Sequence, residues 1–277
     1  MIAHKEKMPK IGIIGGCGPY ATLDIEQKIL RASLLSIPSI KNDQDYYPMV
    51  VSYTTQLQNR IQAHKCGGRS LSLQLEEEIH QLLLQNIDIL LIACQSAHVF
   101  INNFNFFRKV KFINMIDTTI DNIVQNKKQI KSVGLLGTSV LSDSGLYQKL
   151  LQKHDIKVIT LPEKLQFQLN KLIYFIKSYG LESSTLLHRY MFDSSVDPSV
   201  GISLQYLKEI TNDIKIILKF FLNQHIDKII LACTELPLLK TFLNYYYCSA
   251  TYIDSNELAA LRVVQFARSL QLTWKKN

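Results

Sequence analysis

The chain has 277 residues, 47% of them hydrophobic and 19% charged, with a formal net charge of +8. That composition is ordinary for a globular protein and leaves room for two compact domains. No apolar run approaches the ~18–20 residues that a membrane-crossing helix needs, and Met1 to Lys10 is short, basic and without a secretory apolar core. A cytoplasmic protein is the expectation. The basic residues are dispersed, with small clusters at Lys127, Lys128 and Lys131 and at Lys275 and Lys276. No Arg-rich stripe or basic–aromatic ladder accompanies them, so neither nucleic acid nor membrane is expected as a partner.

In chain order, Lys10 to Gly16 reads as a first buried strand, short, apolar and ending in glycine. Gly16-Cys17-Gly18-Pro19-Tyr20-Ala21 then fits the G-x-G-x-x-A form of a dinucleotide loop. The acidic residue expected at the end of the next strand is absent, since Pro48 to Tyr53 runs into Thr54 and Thr55. A tight turn with Pro19 opening a helix explains the segment without a phosphate. Ser70 to Leu84 is an amphipathic helix with Leu71, Leu75, Ile79 and Leu82 on one stripe. Phe104, Phe106, Phe107 and Tyr245 to Tyr247 suit a core or a dimer surface. A second strand of the first kind, Ser132 to Thr138, opens a new α/β unit after the polar stretch Asp117 to Lys131. The alternation of strands and helices implies parallel sheets flanked by helices. The expected division is a first α/β lobe over 1–117, a second over 118–254, and a last helix, within about 255–277, packing back on the first.

Two segments echo each other. Asp88-Ile-Leu-Leu-Ile-Ala-Cys94 and Asp227-Lys-Ile-Ile-Leu-Ala-Cys233 share an aspartate, an apolar strand and a final Ala-Cys. Ligands of parallel α/β sheets bind beyond the carboxyl ends of the strands. A cysteine there, ahead of a helix, is expected to meet backbone N–H groups and a positive dipole end that favour thiolate. Racemisation removes a proton from one face of a carbon and returns one to the other, a task for two groups rather than one. A thiolate and a thiol in matching positions on facing lobes provide that pair, and Ser96, Thr234 and nearby N–H groups are candidate donors to the developing enolate. The other thiols, Cys17, Cys66 and Cys248, form no C-x-x-C and no metal spacing, so no metal is expected. His98, four residues after Cys94, could form a Cys/His dyad, although a structurally satisfied histidine is the commoner outcome. Glu235 could orient a substrate ammonium, tune Cys233, or be an N-terminal helix charge.

The segments Ile11-Gly-Ile-Ile-Gly-Gly-Cys-Gly-Pro19, Cys94-Gln-Ser-Ala-His98, Asn114-Met-Ile116 and Cys233-Thr-Glu-Leu-Pro-Leu-Leu239 together resemble the aspartate/glutamate racemase superfamily, in its aspartate racemase branch. The resemblance covers nearly the whole chain. It implies two pseudo-symmetric α/β lobes with the site in the cleft between them, a homodimer, and racemisation of a small amino acid without pyridoxal phosphate or any other cofactor. It further implies that Cys233 deprotonates the L-enantiomer and Cys94 the D-enantiomer. Substrate contacts would come from Gln95, Ser96, Thr234, Glu235, Thr54 and Cys17. Arg60 and Lys177 would suit the carboxylates of a dicarboxylic amino acid, Lys177 the distal one. This chain departs from the family pattern in Gln95-Ser96 for Asn-Thr, in Cys17 for Met, and in Leu57-Gln-Asn-Arg-Ile61 for Ile-Pro-Asp-Arg-Thr. Those departures leave room for a maleate-isomerase-like or decarboxylase-like enzyme using mainly one cysteine. A non-catalytic ligand-binding descendant is a third alternative, and the presence of both cysteines argues against it.

Overall fold

A computed structural model describes residues 8–37, 40–101, 110–126, 130–192 and 201–274. Lys127, Lys128, Lys275, Lys276, Phe104, Phe106 and Phe107 fall outside the described residues. The chain divides into two compact units, Met1–Thr118 with Asn256–Asn277, and Thr119–Ser255.

The first unit contains strands β1 (Ile11–Gly15), β2 (Met49–Tyr53), β3 (Ile89–Ile92) and β4 (Lys111–Ile113), with helices α1 (Pro19–Ser36), α2 (Arg60–Lys65) and α3 (Arg69–Leu83). Helix α4 (Met115–Gln125) carries the chain out of it. The four strands are all parallel, in the order β2-β1-β3-β4. Strands β1 and β3 are buried along their whole length, which explains their unbroken apolar runs. Helix α3 buries Leu71, Leu75, Ile79 and Leu82, the stripe read from the sequence. Each such side chain contributes roughly 1.5–3 kcal/mol on full burial. The unit's largest apolar core joins Ile11, Ile13, Ile89, Leu91 and Ala93 of the sheet region to Ile25 and Ile29 of α1. Ala259, Ala260, Val263, Val264 and Ala267 of α11 (Ser255–Trp274) complete it.

The second unit repeats this plan. Strands β5 (Ser132–Gly137), β6 (Lys157–Ile159), β7 (Lys228–Ala232) and β8 (Thr251–Asp254) are parallel, in the order β6-β5-β7-β8. Around them lie α5 (Ser139–Ser144), α6 (Leu146–Gln152), α7 (Glu163–Tyr179), α8 (Glu182–Phe192), α9 (Leu204–Asn223) and α10 (Lys240–Tyr246). The core is built from α7, α8 and α9 with Ile229 and Leu231 of β7. Tyr247 is buried and its hydroxyl donates to the Ile226 carbonyl, whereas Tyr245 is exposed and stacks edge-on against Phe192.

The internal echo therefore extends to register. Gly12, Ile13 and Ile14 pair with Leu90, Leu91 and Ile92. Gly134, Leu135 and Leu136 pair with Ile229, Ile230 and Leu231. Cys94 lies two residues beyond the Ile14–Ile92 pairing and Cys233 two beyond the equivalent Leu136–Leu231 pairing, although the second ladder runs one pair further, Gly137 with Ala232. Among the described residues no helix is long and apolar enough to cross a membrane.

Candidate active site

In the first unit, β1 ends at Gly15 and turns sharply at Gly16, whose φ of +80° lies in the left-handed region. A Cβ at Gly16 would stand 2.6 Å from the Thr54 nitrogen, so only glycine fits between the ends of β1 and β2. Thr54 closes this corner. Its N–H and its hydroxyl both donate to the Gly15 carbonyl, at 3.2 and 2.7 Å. Thr22 accepts from the Gly16 N–H (3.0 Å), and Pro19 opens α1. Arg60, first residue of α2, donates from Nη2 to the Cys17 carbonyl (2.8 Å) and from Nη1 to the Gln58 carbonyl (3.3 Å). Thr54, Arg60 and Cys17 thus gather at the carboxyl end of β1, and the Cys17 thiol is buried.

Strand β3 adjoins β1, and the Ala93 N–H donates to the Ile14 carbonyl (2.8 Å), which brings Cys94 out beside that glycine turn. Cys94 is buried, and its N–H donates to the Ile92 carbonyl (2.8 Å) as the chain leaves the strand. Gln95 and Ser96 are buried in the 3₁₀ turn Gln95–Phe100 that follows. His98 explains how this turn is held. Its Nδ1 lies 2.9 Å from the Cys94 carbonyl, and its Nε2 receives the Met115 N–H at 3.3 Å. A backbone N–H can only donate, so Nε2 is the acceptor and the ring proton sits on Nδ1. Burial pushes the His98 pKa down to about 4, against its hydrogen bonds to the Cys94 and Gln95 carbonyls. A neutral ring with both nitrogens engaged by backbone is no base for the thiol, so the Cys/His dyad is ruled out by geometry.

In the second unit Cys233 follows β7, and Thr234 and Glu235 lead into the 3₁₀ turn Leu236–Leu239. Cys233, Thr234 and Glu235 are all buried. The Cys233 thiol donates to Glu235 Oε2 (2.9 Å), and the Thr234 hydroxyl reaches the same oxygen (3.3 Å). Glu235 Oε1 is ion-paired with Lys177 Nζ of α7. This corrects two expectations. Cys233 is not tilted towards thiolate: burial and then the Glu235 carboxylate hold its pKa well above the ordinary thiol value, with Lys177 opposing. The helix expected to supply a favourable dipole is a short 3₁₀ turn containing Pro237, which has no N–H to offer. Lys177, expected at a substrate carboxylate, has an internal carboxylate as its partner. Ser96 and Thr234, the candidate enolate donors, are both buried, and the Thr234 hydroxyl is directed at Glu235.

Helix α7 supplies residues that the sequence pattern did not single out. Gln166 donates to the Gly137 carbonyl at the end of β5 (2.9 Å) and to Asn170 Oδ1 (3.2 Å), which in turn faces Ser139. Gln166, Asn170 and Lys177 share one face of α7 at helical spacing, the signal that could have revealed them. Gln166 does for β5 what Thr54 does for β1. Among the described residues no group of three or more His, Cys, Asp and Glu side chains could hold a metal ion.

Comparison with known proteins agrees with this architecture. The family model for Asp/Glu/Hydantoin racemase matches residues 14–189. The chain is 25% identical over 263 residues to the broad specificity amino-acid racemase RacX of Bacillus subtilis (strain 168), covering 92% of this chain and 96% of that one. Picrophilus torridus aspartate racemase superposes with a TM-score of 0.68 at 26% identity over 94% of each chain. An aspartate racemase homologue from Pyrococcus horikoshii OT3, at 22% identity and a TM-score of 0.64, covers 94% of this chain and all of its own, and shares the fold. The chain belongs to the Asp/Glu/Hydantoin racemase family and is an isomerase.

Proposed function

We propose that the chain racemises an acidic amino acid, aspartate or a close analogue, by passing the α-proton between Cys94 and Cys233 without pyridoxal phosphate. The observation that carries this reading is the matched placement: two sheets of one topology each carry a cysteine two residues beyond an equivalent strand pairing, Ile14 with Ile92 and Leu136 with Leu231. In the L-to-D direction the Cys233 thiolate removes the α-proton and Cys94, as thiol, protonates the opposite face. The reverse reaction starts from the opposite protonation state. This requires both sulfurs to reach one α-carbon. An acidic substrate is supported by Arg60 beside the Cys17 turn, by Lys177, and by the Picrophilus torridus relative being an aspartate racemase.

A wider substrate range is favoured by two observations. The Lys177 ammonium is already balanced by Glu235, and the Bacillus subtilis relative is a broad specificity enzyme. Incubating the protein with a panel of single-enantiomer amino acids, with no added pyridoxal phosphate, and separating the products by chiral chromatography tests both versions. Conversion of aspartate ahead of neutral amino acids is expected. No enantiomer formed from any of them, or products of new connectivity, would overturn the racemase reading. The protein is further proposed to act in the cytoplasm as a homodimer.

A further inference from the structure

A carboxylate taken out of water costs several kcal/mol unless its oxygens are paired. Glu235 is 4% exposed, and Leu236 and Leu239 beside it are fully buried. Lys177 satisfies one oxygen. Facing the other are the Cys233 sulfur and the Thr234 hydroxyl, and a thiol is a weak donor that a purely structural ion pair does not need.

We infer that Glu235 is the proton partner of Cys233: it holds the thiol proton in the free enzyme and accepts that proton when Cys233 acts as base, with Lys177 as its counter-charge. The inference rests on the proposed role of Cys233 in racemisation and deepens it. In the step, the Cys233 S–H bond breaks and an O–H bond forms on Glu235 Oε2, leaving a thiolate beside a neutral carboxylic acid. The thiolate then takes the substrate α-proton. Cys94 gives its own proton to the opposite face and becomes the thiolate, while Glu235 stays protonated until the enzyme resets. Charge and protons balance without another reactant. Glu235 and Lys177 are the charged groups that act on the thiol among the described residues. Of the neighbouring elements, β7 carries Lys228, directed to Asp227 and Thr251, and α10 carries Lys240, which approaches Asp254 at 3.9 Å. On α8, Glu182, His188 and Arg189 stand on the helix that packs against the turn.

The test is the rate of iodoacetamide alkylation at Cys233, followed by peptide mass spectrometry across neutral to alkaline pH. Glu235→Gln removes the charge but keeps the shape and an acceptor oxygen. It should move the alkylation profile to lower pH, with the rate near neutrality rising about tenfold for every pH unit that the profile moves. Lys177→Met should move the profile the opposite way. An unchanged profile in Glu235→Gln would overturn the inference, as would both variants accelerating together, which is the mark of a loosened fold. The alkylation profile does not depend on turnover. Failure of the racemase reading would instead appear as an inactive amino-acid panel while the two variants still move the profile in opposite directions.

Discussion

Beside Cys94 a neutral histidine ties the backbone, whereas beside Cys233 a carboxylate and a lysine meet the thiol. Neutral His98 bridges the Cys94 carbonyl and the Met115 N–H, fixing where the cysteine stands without bringing a charge to it. Glu235 and Lys177 bring two charges to Cys233, which also belongs to its unit's apolar core. Equivalent strands in equivalent sheets can therefore carry the same residue in different polar surroundings. A repeated fold fixes position. The residues just past the strand fix protonation.

The largest effect is expected where the comparison predicts equality. If the cysteines are the two halves of one proton relay, Cys94→Ala and Cys233→Ala should each lower racemisation by about 10²–10⁴-fold, the usual worth of a general acid or base. A steady-state assay in both directions measures this, and full activity in either variant would break the pairing.

The His98 tie offers the next test, since it acts through the fold. With its pKa at about 4 in the folded protein against 6.5 for a free histidine, the unfolded chain binds the extra proton first as pH falls. The stabilising contribution is whole above pH 6.5, declines below it and is lost by about pH 4, a loss of roughly 3 kcal/mol. Urea denaturation at several pH values should show His98→Gln lacking this part of the acid sensitivity. Equal slopes in the two proteins would mean that His98 is not held neutral.

The smallest effect concerns the matched corners at Gly15 and Gly137. Thr54→Val removes the hydroxyl from the Gly15 carbonyl, and Gln166→Leu removes the amide from the Gly137 carbonyl. Each should cost about 1 kcal/mol of unfolding free energy. A much larger loss in one variant than in the other would show that the two corners are not equivalent.

Much of the fold was legible because its strands announce themselves. Buried parallel strands need continuous apolar residues, and β1 and β5 end in glycines that interrupt the pattern cleanly. The stripe of three leucines and one isoleucine on α3 was legible for the same reason, one buried face at helical period. The cysteines could be placed at strand ends because their flanks repeat. The protonation of Cys233 could not be read, because it depends on how a carboxylate two residues on, just ahead of a 3₁₀ turn, is directed, and on a lysine from a helix far away in sequence. His98 was similarly ambiguous until both nitrogens had partners. Gln166 and Asn170 went unnoticed because amides on an amphipathic helix look like ordinary solvated positions until a strand end is seen beneath them.

The central claim, that the two sulfurs serve opposite faces of one carbon, is tested most directly by the isotope content of the first product formed in D₂O. A two-base relay delivers the proton from the second thiol, which has already exchanged with solvent, so early product should carry deuterium at the α-position while recovered substrate keeps protium. Early product that retains the substrate's own protium would mean that one group both removes and returns the proton, and would contradict the pairing of Cys94 with Cys233.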